Sequence, residues 1–253
     1  MAPAKGMREL TQTALMVLVT DGAHPLWVAG VVTLAFTVLA RWVRGVSFSG
    51  AIAGAAICFL LYSGIGAGAF AALVSLFALT WTSTRFGYRR KQKLGTAQNR
   101  EGRTASQVLA NLSVSAVCAT LSATTGRTVF VLATAAALAE AAADTVSSEL
   151  GQAGSEKARL ITTWQEVPAG TDGGVSVAGT AAGIVAAILI GTVTFLAGLT
   201  PVRWVGILVA AAILGMVADS YLGALLERRK LLNNDWVNFL GTLVAAGAAM
   251  LLA

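Results

Sequence analysis

Four of the chain's five aspartates, Asp144, Asp172, Asp219 and Asp235, stand at or beside the ends of long apolar runs. An ionisable group at a membrane edge is expensive to hold, which makes each of them a candidate for chemistry. They come from different parts of the chain, yet the topology derived below puts them all on one side. Carboxylates gathered in this way can hold Mg2+ and act on phosphorylated substrates.

The first acidic segment runs Glu140-Ala-Ala-Ala-Asp144-Thr-Val-Ser-Ser148-Glu149-Leu-Gly151. Glu140, Asp144 and Ser148 recur every four residues and share one helix face. Glu140, Asp144, Glu149 and Asp219 are the candidate metal ligands. Asp144, Asp172, Asp219 and Asp235 are the candidate catalytic acids. A plainer reading is a polar stripe that solvates a helix end or bonds to neighbouring helices.

Pro168-Ala-Gly170-Thr171-Asp172-Gly173-Gly174-Val-Ser176 precedes an apolar run. Glycines let backbone amides approach an anion, and a helix N-terminus favours negative charge. Thr171, Gly173, Gly174 and Ser176 are therefore candidate phosphate contacts, although no Gly-Lys-Ser/Thr follows as in a nucleotide-binding P-loop. The alternative is a turn whose Asp or Ser caps the next helix. Ser220 follows Asp219, and Asn234 and Asn238 share a face after Asn233. These three, with Asn111, are further candidate substrate contacts; interhelical hydrogen bonding is the alternative.

The basic stretch from Thr84 to Arg103 divides in two. Arg89, Arg90 and Lys91 read as an anchor on anionic lipid. Arg85, Lys93, Asn99, Arg100 and Arg103 are candidate phosphate contacts, because glycines and Asn99 suggest a shaped turn. His24 is the single histidine and falls on the opposite side, which argues against His-based hydrolysis and zinc. Cys58 and Cys118 lie in separate apolar runs and read as small buried hydrophobes.

The elements that position these groups are membrane helices. The chain is 56% hydrophobic and 12% charged, with mean hydropathy +0.74. A soluble domain carries about 25% charged residues. Long Ala, Leu, Val and Gly runs without strict alternation favour helices over a barrel. The expected fold is all-α: a polytopic helical bundle with about eight spanning or partly spanning helices, seven being possible. The expected spans are about 25–43, 50–64, 66–84, 106–123, 128–147, 175–197, 203–222 and 236–253. The run at 50–64 is short for a bilayer and rich in glycine, so a tilted, broken or incompletely spanning helix is expected there. Residues 1–24 are expected to be an outer or interfacial segment, with a half-helix expected at 7–20 and no clear signal peptide. Residues 25–253 form one domain, with cytoplasmic loops at about 85–105, 148–175 and 223–235.

Placing the 85–105 loop inside puts 14 of the 18 basic residues on the cytoplasmic side. The positive-inside rule then fixes the orientation, with both termini outside. The expected location is the plasma membrane, with the site facing the cytoplasm. The net charge of +6 is explained by topology, so no nucleic-acid partner is expected.

Taken together, Thr84-Arg85 with Lys93-Leu-Gly95, Asn99 with Gly102-Arg103, Ala143-Asp144-Thr145 with Ser148-Glu149-Leu-Gly151, Gly170 to Ser176, Asp219-Ser220, and Asn233-Asn234-Asp235 with Asn238 to Thr242 resemble domain-of-unknown-function family 92. That family includes the phytyl-phosphate kinase of plant tocopherol synthesis. The resemblance runs from about residue 30 to the end. It implies transfer of phosphate from a nucleoside triphosphate, CTP favoured, to a prenyl monophosphate such as phytyl or geranylgeranyl phosphate, with Mg2+ as cofactor. Two other readings stay open: another membrane nucleotidyl- or phosphotransferase, and a transporter or lipid translocase with broken helices. Polar groups clustered at one face favour an enzyme; polar groups spread through the membrane depth favour transport. Oligomeric state is not legible.

Overall fold

The computed structural model of the chain describes residues 25–253. The half-helix at 7–20 and the role of His24 lie outside the described residues.

Among the described residues, nine α-helices follow one another: α1 Leu26–Trp42, α2 Phe48–Ile65, α3 Ala67–Arg85, α4 Tyr88–Leu94, α5 Ala105–Thr125, α6 Val129–Gly154, α7 Val177–Leu196, α8 Val202–Leu222 and α9 Asn234–Leu252. Seven are long and apolar enough to cross a membrane, counting α8 with the π-helical turn Gly223–Glu227 that prolongs it; α1, at 17 residues, is shorter. The chain is thus a polytopic helical membrane protein. Of the tilted, broken or incompletely spanning helix expected at 50–64, the break is absent: Phe48–Ile65 is one helix of 18 residues, and the shorter helix is α1.

The bundle is built around α6. Its residues from Val131 to Ala143 are all buried. Alanine dominates this stretch, and small side chains let helices approach closely where apolar burial gives no net drive. Helices α3, α5, α7, α8 and α9 all pack on α6. Leucines, valines and tryptophans on the outer helices remain exposed, as lipid-facing surface requires.

Among the described residues, four long helices start at the loop-rich end, and each has a side-chain cap; the short α4 starts there on Gly87 without one. Ser47 caps α2, Ser176 caps α7 and Asn233 caps α9, each accepting from a backbone amide three residues on. Thr104 and Gln107 form a capping box on α5. These caps satisfy amides that a helix start leaves open.

Three connections depart from expectation. Helix α6 continues to Gly154, well past the expected end at 147, and Glu149 on the added length is tied down by Lys91 and Thr84. The following connection contains a three-stranded sheet, order β2-β1-β3, from β1 Lys157–Leu160, β2 Glu166–Pro168 and β3 Gly174–Val175, with both pairs antiparallel. Its strands are too short for alternation to reveal them. The 85–105 stretch contains α4, and the 223–235 loop loses its first residues to the π-helical turn.

Candidate active site at the loop-rich end

Glu140 and Asp144 lie one turn apart on α6, and Asp219 faces them from α8. The Asp144 and Asp219 side chains come within hydrogen-bonding reach of each other. Glu140 is 1% exposed. Its space is made by two glycines: a Cβ on Gly215 would stand 2.6 Å from Glu140 Cγ, and one on Gly241 would stand 2.6 Å from Glu140 Oε1. Among the described residues, Glu140 Oε1 and Asp219 Oδ2 are buried without a hydrogen-bond partner. Orphaned buried oxygens are costly and call for a cation or a proton.

Among the described residues, the cation whose charge acts on Asp144 is Arg103. Its Nη2 donates to Thr145 Oγ1 at 3.4 Å, and its charge interacts with Glu149 and Asp144. Burial pushes the guanidinium pKa below the usual arginine range; Glu149 and then Asp144 pull it back up. The Arg103 backbone is clamped to the α1–α2 connection: its amide donates to Gly45 O at 3.1 Å, and its carbonyl accepts from Ser47 N at 2.9 Å. Gly102, at φ 89°, allows this contact, since a Cβ there would meet the Gly45–Val46 backbone at 2.5 Å.

A cavity of about 500 Å3 opens beside Arg103. Thr145 and Ala141 of α6 form part of its wall, so it lies against the helix that carries the acids. Arg44, Arg85, Asn99, Arg100 and Arg103 rim it, and its depth is mainly apolar. Arg85 donates to Val43 O and stacks on Trp81, 4.2 Å from the ring centroid. Asn99 Oδ1 accepts from Glu101 N at 3.0 Å. Asn111 is buried on the wall and donates to Gln107 O at 2.9 Å. Arg44, also on the rim, is not singled out by the sequence, where it is one basic residue among those that set the topology.

The other candidates are placed as follows. Glu149 accepts from Lys91 and from Thr84 Oγ1, one bond at each oxygen, which removes it from the ligand set. Lys91 is not the lipid anchor expected: it is 0% exposed and also donates to Ser83 O and Thr84 O. Lys93 is exposed and off the cavity wall. In the glycine loop, Ser176 is a cap, Thr171 Oγ1 donates to Pro168 O at 2.7 Å, and Gly174 N donates to Thr171 O at 2.8 Å. These groups are committed to folding the loop. Gly173, at φ 72°, lies against the Ala224 backbone in the π-helical turn. Asp172 is exposed, and its charge reaches Glu227. Glu227, which also interacts with Asp144 and Asp219, was not foreseen; its spacing of eight from Asp219, about two turns, was the available signal. Ser220 Oγ donates to Met216 O at 3.2 Å. Asn234 is exposed and Asn238 half-buried. Asp235 lines a shallow depression with Asn99 and Thr104.

Among the described residues, no three Asp, Glu, His or Cys side chains are arranged to enclose a metal ion. The four-carboxylate ligand set expected from the sequence is not formed. Mg2+ ordinarily takes a carboxylate or two and completes its shell with phosphate oxygens and water. The paired Asp144 and Asp219, one with an orphaned oxygen, fit that donor set.

Residues 31–246 match the family described as "Integral membrane protein DUF92". An uncharacterized membrane protein of Methanocaldococcus jannaschii is 38% identical over 172 residues, covering 68% of this chain and 71% of the relative. The chloroplastic protein VTE6 of Arabidopsis thaliana is 31% identical over 259 residues, covering 96% and 77%. An uncharacterized membrane protein of Synechocystis is 28% identical over 196 residues, covering 76% of each. No solved structure is significantly similar.

Proposed function

The chain belongs to the integral membrane protein DUF92 family, and from that premise we propose that it transfers a phosphoryl group from a nucleoside triphosphate to a prenyl monophosphate at the cytoplasmic membrane face. The observation that carries this reading is the position of Arg103. One guanidinium serves both an amphiphilic cavity and a buried group of carboxylates. A lipid phosphate seated in the cavity would place its head at Arg103, beside Asp144 and Asp219.

The chemistry suits the residues present. A phosphate acceptor is already anionic, so no strong base is required and the lack of a histidine here is no obstacle. An acceptor oxygen forms a bond to the γ-phosphorus, the bond to the β–γ bridging oxygen breaks, and the nucleoside diphosphate leaves with that electron pair. The remaining task is positioning and charge stabilisation. Arg103 holds the acceptor head and offsets negative charge on the moving phosphoryl group. Arg85, fixed on Trp81, and Arg100 hold neighbouring oxygens. Asp144 and Asp219 would hold Mg2+, which when bound neutralises charge on the donor phosphates. The resemblance to the phytyl-phosphate kinase supports CTP as donor and phytyl or geranylgeranyl phosphate as acceptor. Among the described residues, the acids gather toward one end of the bundle, with Glu140 only a turn deeper; this favours an enzyme over a translocase.

The test is label transfer from γ-labelled CTP, with ATP in parallel, to phytyl and geranylgeranyl monophosphates in detergent or nanodiscs. Divalent-dependent formation of the prenyl diphosphate is expected. Asp144→Asn, of equal volume, should fold and lose at least about a hundredfold in turnover. Release of pyrophosphate with transfer of the nucleotide moiety would select a nucleotidyltransferase. No transfer by folded protein would return the translocase reading.

A further inference from the structure

The cavity is graded along its depth. At the mouth stand Arg44, Arg85, Arg100 and Arg103. Among the described residues, the Arg44 and Arg100 side chains have neither an acidic partner nor a hydrogen-bond acceptor. Arg44, at φ 55°, is the left-handed residue that ends α1, with its amide donating to Arg41 O and that of Gly45 to Ala40 O. Among the described residues no acidic side chain lines the cavity, so its mouth suits an anion.

Inward, the wall turns mainly apolar, with Thr37, Thr80 and Asn111 the polar residues on it. From Arg85 to Leu73, both on the wall, α3 rises about 18 Å. The inner end is stiffened by Phe36, which meets Phe70 and Phe77 edge-on with centroids 5.5 Å and 5.4 Å apart. On α2 the wall is Gly50, Ala51 and Gly54. Gly50 is required by backbone contact, since a Cβ there would stand 2.1 Å from Arg103 O. Gly54 is different. A Cβ on it would meet nothing within 4 Å, and a glycine inside a helix is otherwise destabilising. Its missing side chain leaves the inner cavity open. A volume of about 500 Å3 suits one slender chain, not the paired tails of a diacyl lipid.

We propose that this cavity is a measuring site for the acceptor's single prenyl tail, with Gly54 setting the longest chain admitted and Arg44 and Arg100 drawing the phosphate head to the mouth. The proposal rests on the reading that the acceptor is a prenyl monophosphate. It concerns where that lipid sits and what limits its length, not whether phosphoryl transfer follows.

The experiment measures equilibrium binding of geranyl, farnesyl, geranylgeranyl and phytyl monophosphates to the full chain in phosphatidylcholine nanodiscs, without nucleotide. Wild type should bind more tightly as the chain lengthens, up to a limit. Gly54→Leu should weaken the longest ligands by about tenfold or more while geranyl phosphate changes less than about twofold. Gly54→Ala should do the same more weakly. Gly30→Leu, whose added side chain also enters open space but away from the cavity, should match wild type. Arg44→Gln with Arg100→Gln should weaken every length alike. Equal loss at all lengths in Gly54→Leu, or no loss, would overturn the proposal. So would competition by phosphatidic acid as strong as that of geranylgeranyl phosphate, which marks a general anionic-lipid site. Length-selective binding without phosphoryl transfer would uphold this inference and remove the kinase reading.

Discussion

At the scale of single residues, the contrast between Lys91 and Lys157 shows how burial decides what a charge does. Lys157 pairs with Glu166 on the exposed sheet, where the pair raises the amine pKa and lowers the carboxyl pKa. Both groups stay in water, and salt screens them. Lys91 has the same formal charge but no solvent. It binds Glu149 and two carbonyls at the end of α3, locking α4 against α3 and α6. Removing one partner from such a pair strands the other in low dielectric. Lys91→Met should therefore cost about 3 kcal/mol, read from thermal unfolding of the purified protein, and adding Glu149→Gln should recover part of that loss. Equal and additive losses would show that the two side chains do not interact. No sequence pattern separates Lys91 from Arg89 and Arg90, because the distinction is made by Glu149, 58 residues away.

At the scale of elements, the site is a product of helix ends and glycines. The capped N-termini of α2, α5, α7 and α9 all point their positive ends toward the loop-rich side. That adds a favourable field for anions there. The π-helical turn after α8 brings Glu227 toward Asp219 and supports the glycine loop at Gly173. Helices α6, α8 and α9 meet at Gly215 and Gly241, and the two glycines should respond differently to alanine. At Gly215 the new Cβ would meet Gly241 O at 2.7 Å and Ala245 Cβ at 2.9 Å as well as Glu140. Rigid atoms cannot yield, so Gly215→Ala should destabilise by roughly 1–3 kcal/mol. At Gly241 the tightest neighbour is the movable Glu140 carboxylate. Gly241→Ala should keep the melting temperature close to wild type while displacing Glu140 and lowering phosphoryl transfer. Similar melting temperatures for the two variants would contradict the packing described.

At the scale of the whole molecule, orientation ties the site to its substrates. Lys93 and Asp172 are exposed at the same end, and both native cysteines are buried. Single cysteines at those two positions should therefore react with an impermeant thiol reagent from the same side, and the proposed orientation, which rests on the distribution of basic residues, expects that side to be the cytoplasm. Labelling from opposite sides would contradict the bundle; labelling of both from outside would reverse the orientation and the nucleotide access that depends on it. The sequence by itself determined the helical membrane architecture, because each span satisfies its own backbone bonds and so announces itself locally. It also determined that Asp144 and Asp219 lie near the same end as Arg103, through span length and charge asymmetry. Tertiary structure decided the rest. It drew Glu149 into an ion pair, placed Asp235 in a shallow depression beside Asn99, added Arg44 and Glu227, and opened a cavity between α1, α2, α3, α5 and α6. These outcomes depend on which helix faces meet, and in a chain rich in alanine and glycine nearly every face looks alike until packing chooses among them.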